Sequence, residues 1–235
     1  MQQRIFTFIF IFIMTHAYNQ NILNNIHKKW VVYNTENLSH TNGWQVVIDN
    51  YILDFEDDKN LNIKDIGMEE IESFAYIIEN DTIFDSDKNK IYLIKELKDD
   101  LLILNNIRSN TLVYLYPLKE NYLDINVETI TNNLLDGKWT KNETTITFLD
   151  KKYLIGDELE TDYNIFYEEN SQIKSKYIGF WQVDIYKNIF LIELHSKKSN
   201  HKAIYQIIKV DNKALIAFSK DKYGRDILIE WMHTH

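Results

Sequence analysis

Residues 91–103 and 204–216 lie over one another without a gap, and this repeat constrains the fold more than any other feature. Ile91-Tyr92-Leu93-Ile94-Lys95-Glu96-Leu97 runs through Lys98-Asp99-Asp100 into Leu101-Leu102-Ile103. Its counterpart is Ile204-Tyr205-Gln206-Ile207-Ile208-Lys209-Val210, then Asp211-Asn212-Lys213, then Ala214-Leu215-Ile216. Each reads as strand, polar turn and strand, which is a hairpin. The flanks recur in the same order. A short helix leads into Lys29-Trp30 in one half and into Lys138-Trp139 in the other, and a Phe-bearing strand follows (Ile52 to Phe55; Ile146 to Phe148). Closing strands at Thr111 to Tyr116 and Asp226 to Trp231 complete each copy. A unit repeated in this way implies two structural copies within one chain.

Between these landmarks the chain is a series of short apolar runs separated by Asn, Asp and Lys. Strands are expected at Trp30 to Tyr33, Trp44 to Ile48, Tyr51 to Phe55, Phe74 to Ile78, Ile91 to Leu97, Leu101 to Leu104 and Thr111 to Tyr116. The second series is Thr144 to Phe148, Tyr163 to Tyr167, Tyr177 to Tyr186, Ile189 to Leu194, Ala203 to Val210, Ala214 to Phe218 and Ile227 to Trp231. Such spacing points to a sandwich or barrel. Helices are expected at 19–29 and 121–135, with a short helical turn at Met68 to Phe74. With one Pro and 6 Gly, the turns fall to Asn and Asp, whose side chains bond nearby backbone. A 45% apolar and 14% aromatic content supplies the large residues that strands and their cores favour.

Residues 1–17 read as a signal peptide. Arg4 gives a positive start, Ile5 to Met14 an apolar run, and Thr15-His16-Ala17 a small-x-small cleavage site. The run is too short to span a bilayer, which takes about 20 residues. The protein is therefore expected to be exported, periplasmic or extracellular, with no membrane span. Zero cysteines remove disulfides and the attachment point of a bacterial lipid anchor. A net charge of −9 lacks the basic footprint that nucleic acid or anionic membrane requires.

Catalytic equipment is sparse. There is no thiol, no Gly-x-Ser-x-Gly elbow and no glycine-rich phosphate loop, so no cofactor and no catalytic residue is expected. His195, His201, His233 and His235 read as solvated loop and tail residues rather than zinc ligands. Asp85-Ser86-Asp87-Lys88-Asn89 echoes a calcium loop, but Lys90 replaces the needed Gly and a strand follows; a charged turn is the better reading. Carboxylate runs at Asp54 to Asp58, Glu69-Glu70 and Glu168-Glu169 read as solvated. A hydrolase would need two of them opposed across a cleft. Within Tyr177 to Tyr186, alternation puts Trp181, Val183 and Ile185 on one inner face. These three are the candidate ligand-binding residues, although core packing is the commoner role of such a face, because small barrels fill themselves with side chains. Trp30 and Trp139 read as plugs at a barrel end.

Gly137-Lys138-Trp139, and Tyr92-Leu93-Ile94 with Leu102-Ile103-Leu104, resemble the opening and the late hairpin of the small lipocalin-like domains of exported Bacteroidota proteins. The first copy departs from the pattern by having Lys28-Lys29-Trp30 without Gly. The resemblance implies an all-β fold of two tandem antiparallel barrels, residues 18–118 and 119–235, binding a small apolar molecule. An envelope protein is the alternative partner, through barrels that are filled. One larger barrel built from both halves is the alternative architecture.

Overall fold

A computed structural model describes residues 25–38, 50–55, 59–120, 123–136, 138–141, 144–149, 152–155, 177–196, 202–221 and 223–234. The described residues are all-β with one short complete helix, and the chain divides into two compact units between Leu118 and Lys119. The expected leader, the strands at 44–48 and 163–167, and most of the first helix lie outside the described residues. Residues 25–26 at that helix's end are helical.

The first unit holds β1 (Lys29–Asn37), β2 (Tyr51–Asp54), β3 (Asn60–Asp65), β4 (Glu72–Glu79), β5 (Thr82–Asp85), β6 (Lys90–Lys98), β7 (Leu101–Asn106) and β8 (Thr111–Pro117). All neighbours pair antiparallel, and β8 returns to β1 to close a barrel. The second unit opens with α1 (Val127–Leu135) and continues through β9 (Lys138–Lys141), β10 (Thr144–Leu149), β11 (Lys152–Ile155), β12 (Tyr177–Tyr186), β13 (Ile189–Ser196), β14 (Lys202–Val210), β15 (Ala214–Lys220) and β16 (Asp226–Thr234). This sheet curls from β10 to β16 and closes through β9 alone, which pairs with both. Each sheet closes on itself, so the single larger barrel is overturned.

The two sheets share strand order down to an irregularity. The β6–β7 ladder slips between Ile94 and Glu96, and the β14–β15 ladder between Ile207 and Lys209. Those slips occupy the same column of the sequence overlay. A bulge bends its strand and raises the local twist, as a barrel wall requires. Trp30 and Trp139 correspond as well: both are fully buried, and each indole donates into the helical segment before it. Trp30 Nε1–H bonds the Ile26 carbonyl at 2.9 Å and Trp139 Nε1–H the Leu134 carbonyl at 3.0 Å. Helix α1 is started by Asn126, whose side chain accepts from the Thr129 N–H at 2.7 Å. It buries Ile130 and Leu134, one turn apart on the same face, against the second core.

Several local expectations need correction. No helical turn forms over Met68–Phe74: the chain reverses at Ile66-Gly67, where Gly67 has φ 91°, and β4 begins at Glu72. A left-handed residue at 67 ends β3 sharply, and a residue with Cβ would be strained there. Strands β3, β5, β9 and β11 were not expected, and α1 is shorter than the expected 121–135 segment. The turns do use Asn and Asp. Asn80, Asn110 and Asn188 take positive φ, as do Lys88 and Lys187.

Inside the first barrel, inward side chains of every strand form one cluster. A side chain beside a hollow large enough for water would show surface to a water-sized sphere. Trp30, Leu53, Phe55, Leu61, Leu102 and Leu115 show none. Phe55 meets Tyr76 edge-on at 5.4 Å, which uses the favourable aromatic geometry.

Candidate binding site

Strand β12 carries the three residues singled out from alternation. Trp181 is buried in the second core, its ring edge-on to Phe148 at 5.1 Å and its Nε1–H bonded to the Leu149 carbonyl at 2.7 Å. Val183 packs against the same core and pairs with buried Ile192. Ile185 departs from the expectation: it is 40% exposed. It pairs with Phe190 one step from the Lys187-Asn188 turn, at the end of the hairpin. The row thus runs from packed interior to open rim and does not form one enclosed face.

Near that rim lies an open depression of about 580 Å³, lined by Leu123, Asp124, Ile125, Asn126, Thr129 and Asn188. Apolar Leu123 and Ile125 pack against the second core from one side. The Asn126 oxygen facing the helix start is already used by the Thr129 N–H.

Of the remaining candidates, Asp85 and His233 have structural partners. Asp85 accepts from the Asp87 N–H at 2.9 Å, the Asn89 N–H at 2.8 Å and the Asn89 side chain at 2.9 Å. These bonds, Asn89's side chain foremost, hold the Asp85 carboxyl below its ordinary range. The segment is the β5–β6 turn, and Glu96 sits well along β6. His233 contacts the Asp136 carbonyl through Nε2, and its ring lies 5.0 Å from Trp139. His201, His235 and the His195 side chain lie outside what is described. Among the described residues, no three His, Asp or Glu groups come together as metal ligands. Glu69 and Glu70 are exposed in the β3–β4 loop.

Tyrosines mark the repeat chemically. Tyr92 and Tyr205 occupy the same column, and burial raises both phenols above their usual value. Outside the first barrel, Tyr114 O–H donates to Glu36 at 2.9 Å. Desolvation first, then that bond and the Glu36 charge, push its phenol up to about 12.

Sequence reasoning overlooked the hairpin tips. Asn106 Oδ1 accepts the Arg108 and Ser109 N–H groups, both at 3.1 Å, at the β7–β8 turn. Asp221 Oδ1 accepts the Tyr223 and Arg225 N–H groups, both at 2.9 Å, at the β15–β16 turn. Either acceptor is an Asx residue starting a turn, a signal that the spacing of strands alone did not expose. No known protein-family pattern matches the chain, and no curated protein matches it significantly.

Proposed function

We propose that the chain is an exported, non-enzymatic interaction protein. In this reading its two lipocalin-like barrels are filled scaffolds that meet an envelope protein through their outer loops. The observation that carries it is the first barrel's interior, where Trp30, Leu53, Phe55, Leu61, Leu102 and Leu115 are fully buried and Tyr76, Tyr92, Ile94 and Val113 keep at most 8% exposure. Ligand-carrying pockets bury most of a small molecule's surface in a preformed concavity, and a filled barrel leaves recognition to its outside. The leader-like pattern with Arg4 supports export, and the scarcity of nucleophile and phosphate-loop motifs supports a binding role.

A second reading, a small apolar ligand in the second unit, is favoured by the row Trp181, Val183 and Ile185 reaching an exposed rim. Titration with an apolar fluorophore separates the two. The interaction reading expects no saturable uptake. Stoichiometric uptake that Val183→Asp and Ile185→Asp both abolish would replace it with the ligand reading.

A further inference from the structure

The chain carries 26 cationic Lys and Arg side chains, of which only Arg4, Arg108 and Arg225 are arginine. Arg4 belongs to the leader-like segment. The other two stand in corresponding loops, Arg108 two residues after Asn106 in the β7–β8 turn and Arg225 four residues after Asp221 in the β15–β16 turn. The match extends beyond the charge. Each tip opens on an Asx side chain that accepts two loop N–H groups. Each also presents one large apolar residue, Ile107 at 40% exposure and Tyr223 at 71%.

We propose that these tips are two copies of one recognition element, each docking a carboxylate-bearing, apolar-flanked segment of a protein partner. The inference deepens the interaction reading and rests on it. Solubility is served by lysine, which the chain uses everywhere else. Arginine adds a planar fork that meets a carboxylate with two parallel bonds, and Tyr and Arg are the residues that dominate binding hot spots. In a chain of net charge −9, an acidic segment finds favourable charge at cationic side chains such as Arg108, whose turn 106–110 carries no acidic residue, while Arg225 shares its charge with Asp221.

Rigidity favours binding here. The Asp221 N–H bonds the Arg225 carbonyl at 2.9 Å, the Gly224 N–H bonds the Asp221 carbonyl at 2.9 Å, and Gly224 takes the φ of 79° that the turn needs. Asp221 Oδ2 holds Arg225 through Nε and Nη2, both at 2.6 Å, with the guanidinium 5.2 Å from the Tyr223 ring centre. A guanidinium has five N–H donors, so the fork keeps donors for a second carboxylate. A loop fixed before binding loses less entropy on docking.

The test is selection of random peptides displayed on phage against the whole chain, followed by calorimetry with the enriched peptides. Enriched sequences should place Asp or Glu beside an aromatic or aliphatic residue and bind at two sites per chain. Arg108→Lys and Arg225→Lys should each weaken one site, and the double variant both, with affinity at the altered tip falling about tenfold or more. Because Arg225→Lys also disturbs the Asp221 lock, Ile107→Ser and Tyr223→Ser serve as independent variants; their circular dichroism should match the parent. Enriched peptides that lack acidic residues, or that bind the double variant as well as the parent, would overturn the tips and leave the interaction reading standing. No enrichment over the bare support would overturn both.

Discussion

Replacing Trp139 with Phe should destabilise the second unit by about 2–4 kcal/mol, and the size follows from two losses. The indole is fully buried and donates to the Leu134 carbonyl, one of the last carbonyls of α1, which have no partner within the helix. Phenylalanine leaves that acceptor without its donor in a dry setting, which costs about 1–3 kcal/mol. The smaller ring also vacates about 40 Å³, worth about 1 kcal/mol at 24 cal/mol per Å³. Trp30→Phe should cost less, about 1–2 kcal/mol, because the Ile26 carbonyl keeps a second donor in the Lys28 N–H at 2.6 Å. Urea unfolding followed by far-ultraviolet circular dichroism reads both without relying on tryptophan fluorescence. With a slope of about 1.5 kcal/mol per M, Trp139→Phe should lower the midpoint by about 1–3 M. A loss below about 0.5 kcal/mol, or a larger effect from Trp30→Phe than from Trp139→Phe, would refute the plug assignment.

Three further outcomes follow from local geometry. Asp211, held at about 2 by the Lys209 side chain and then by the Ala214 and Lys213 N–H groups, should titrate by NMR well below the ordinary aspartate value. Its contribution to stability is present above pH about 4 and fades as pH falls toward 2, and Asp211→Asn should abolish that acid limb. Tyr114 should ionise near 12, so its contribution holds below pH about 10 and is lost as pH rises through 12. Glu36→Gln should bring the ionisation down, read at 295 nm, and an unchanged midpoint would remove Glu36 as a cause. Lys187, at φ 46° beside Asn188 at φ 66°, sits in a turn that favours Gly, so Lys187→Gly should stabilise by about 0.5–1 kcal/mol. Destabilisation in a thermal melt would contradict it.

The strands that sequence exposes are those carrying their own apolar face, such as Tyr177–Tyr186, whose bounds coincide with β12. The ones it hides are short and polar: Asn60–Asp65 contributes Leu61 as its fully buried inward anchor, and Thr82–Asp85 contributes Ile83. Such segments become strands because neighbours on both sides supply ladder partners, a context that propensity does not contain. The segment Met68 to Phe74 read as a short helical turn, yet Met68 and Ile71 are exposed after a turn set by Gly67. Trp181 and Val183 were legible as inward. The exposure of Ile185 was not, since alternation gives the face of a residue and not its height in the barrel. That Arg108 and Arg225 fall in corresponding turns, β7–β8 and β15–β16, emerges only once the strand order of both sheets is known.

The most direct test of filled barrels that act through their outer surface is native mass spectrometry of the chain purified from the cells that make it. The account predicts the mass of the polypeptide alone together with complexes heavier by a protein partner. A stoichiometric small molecule that leaves on denaturation would contradict it and place the function inside a barrel.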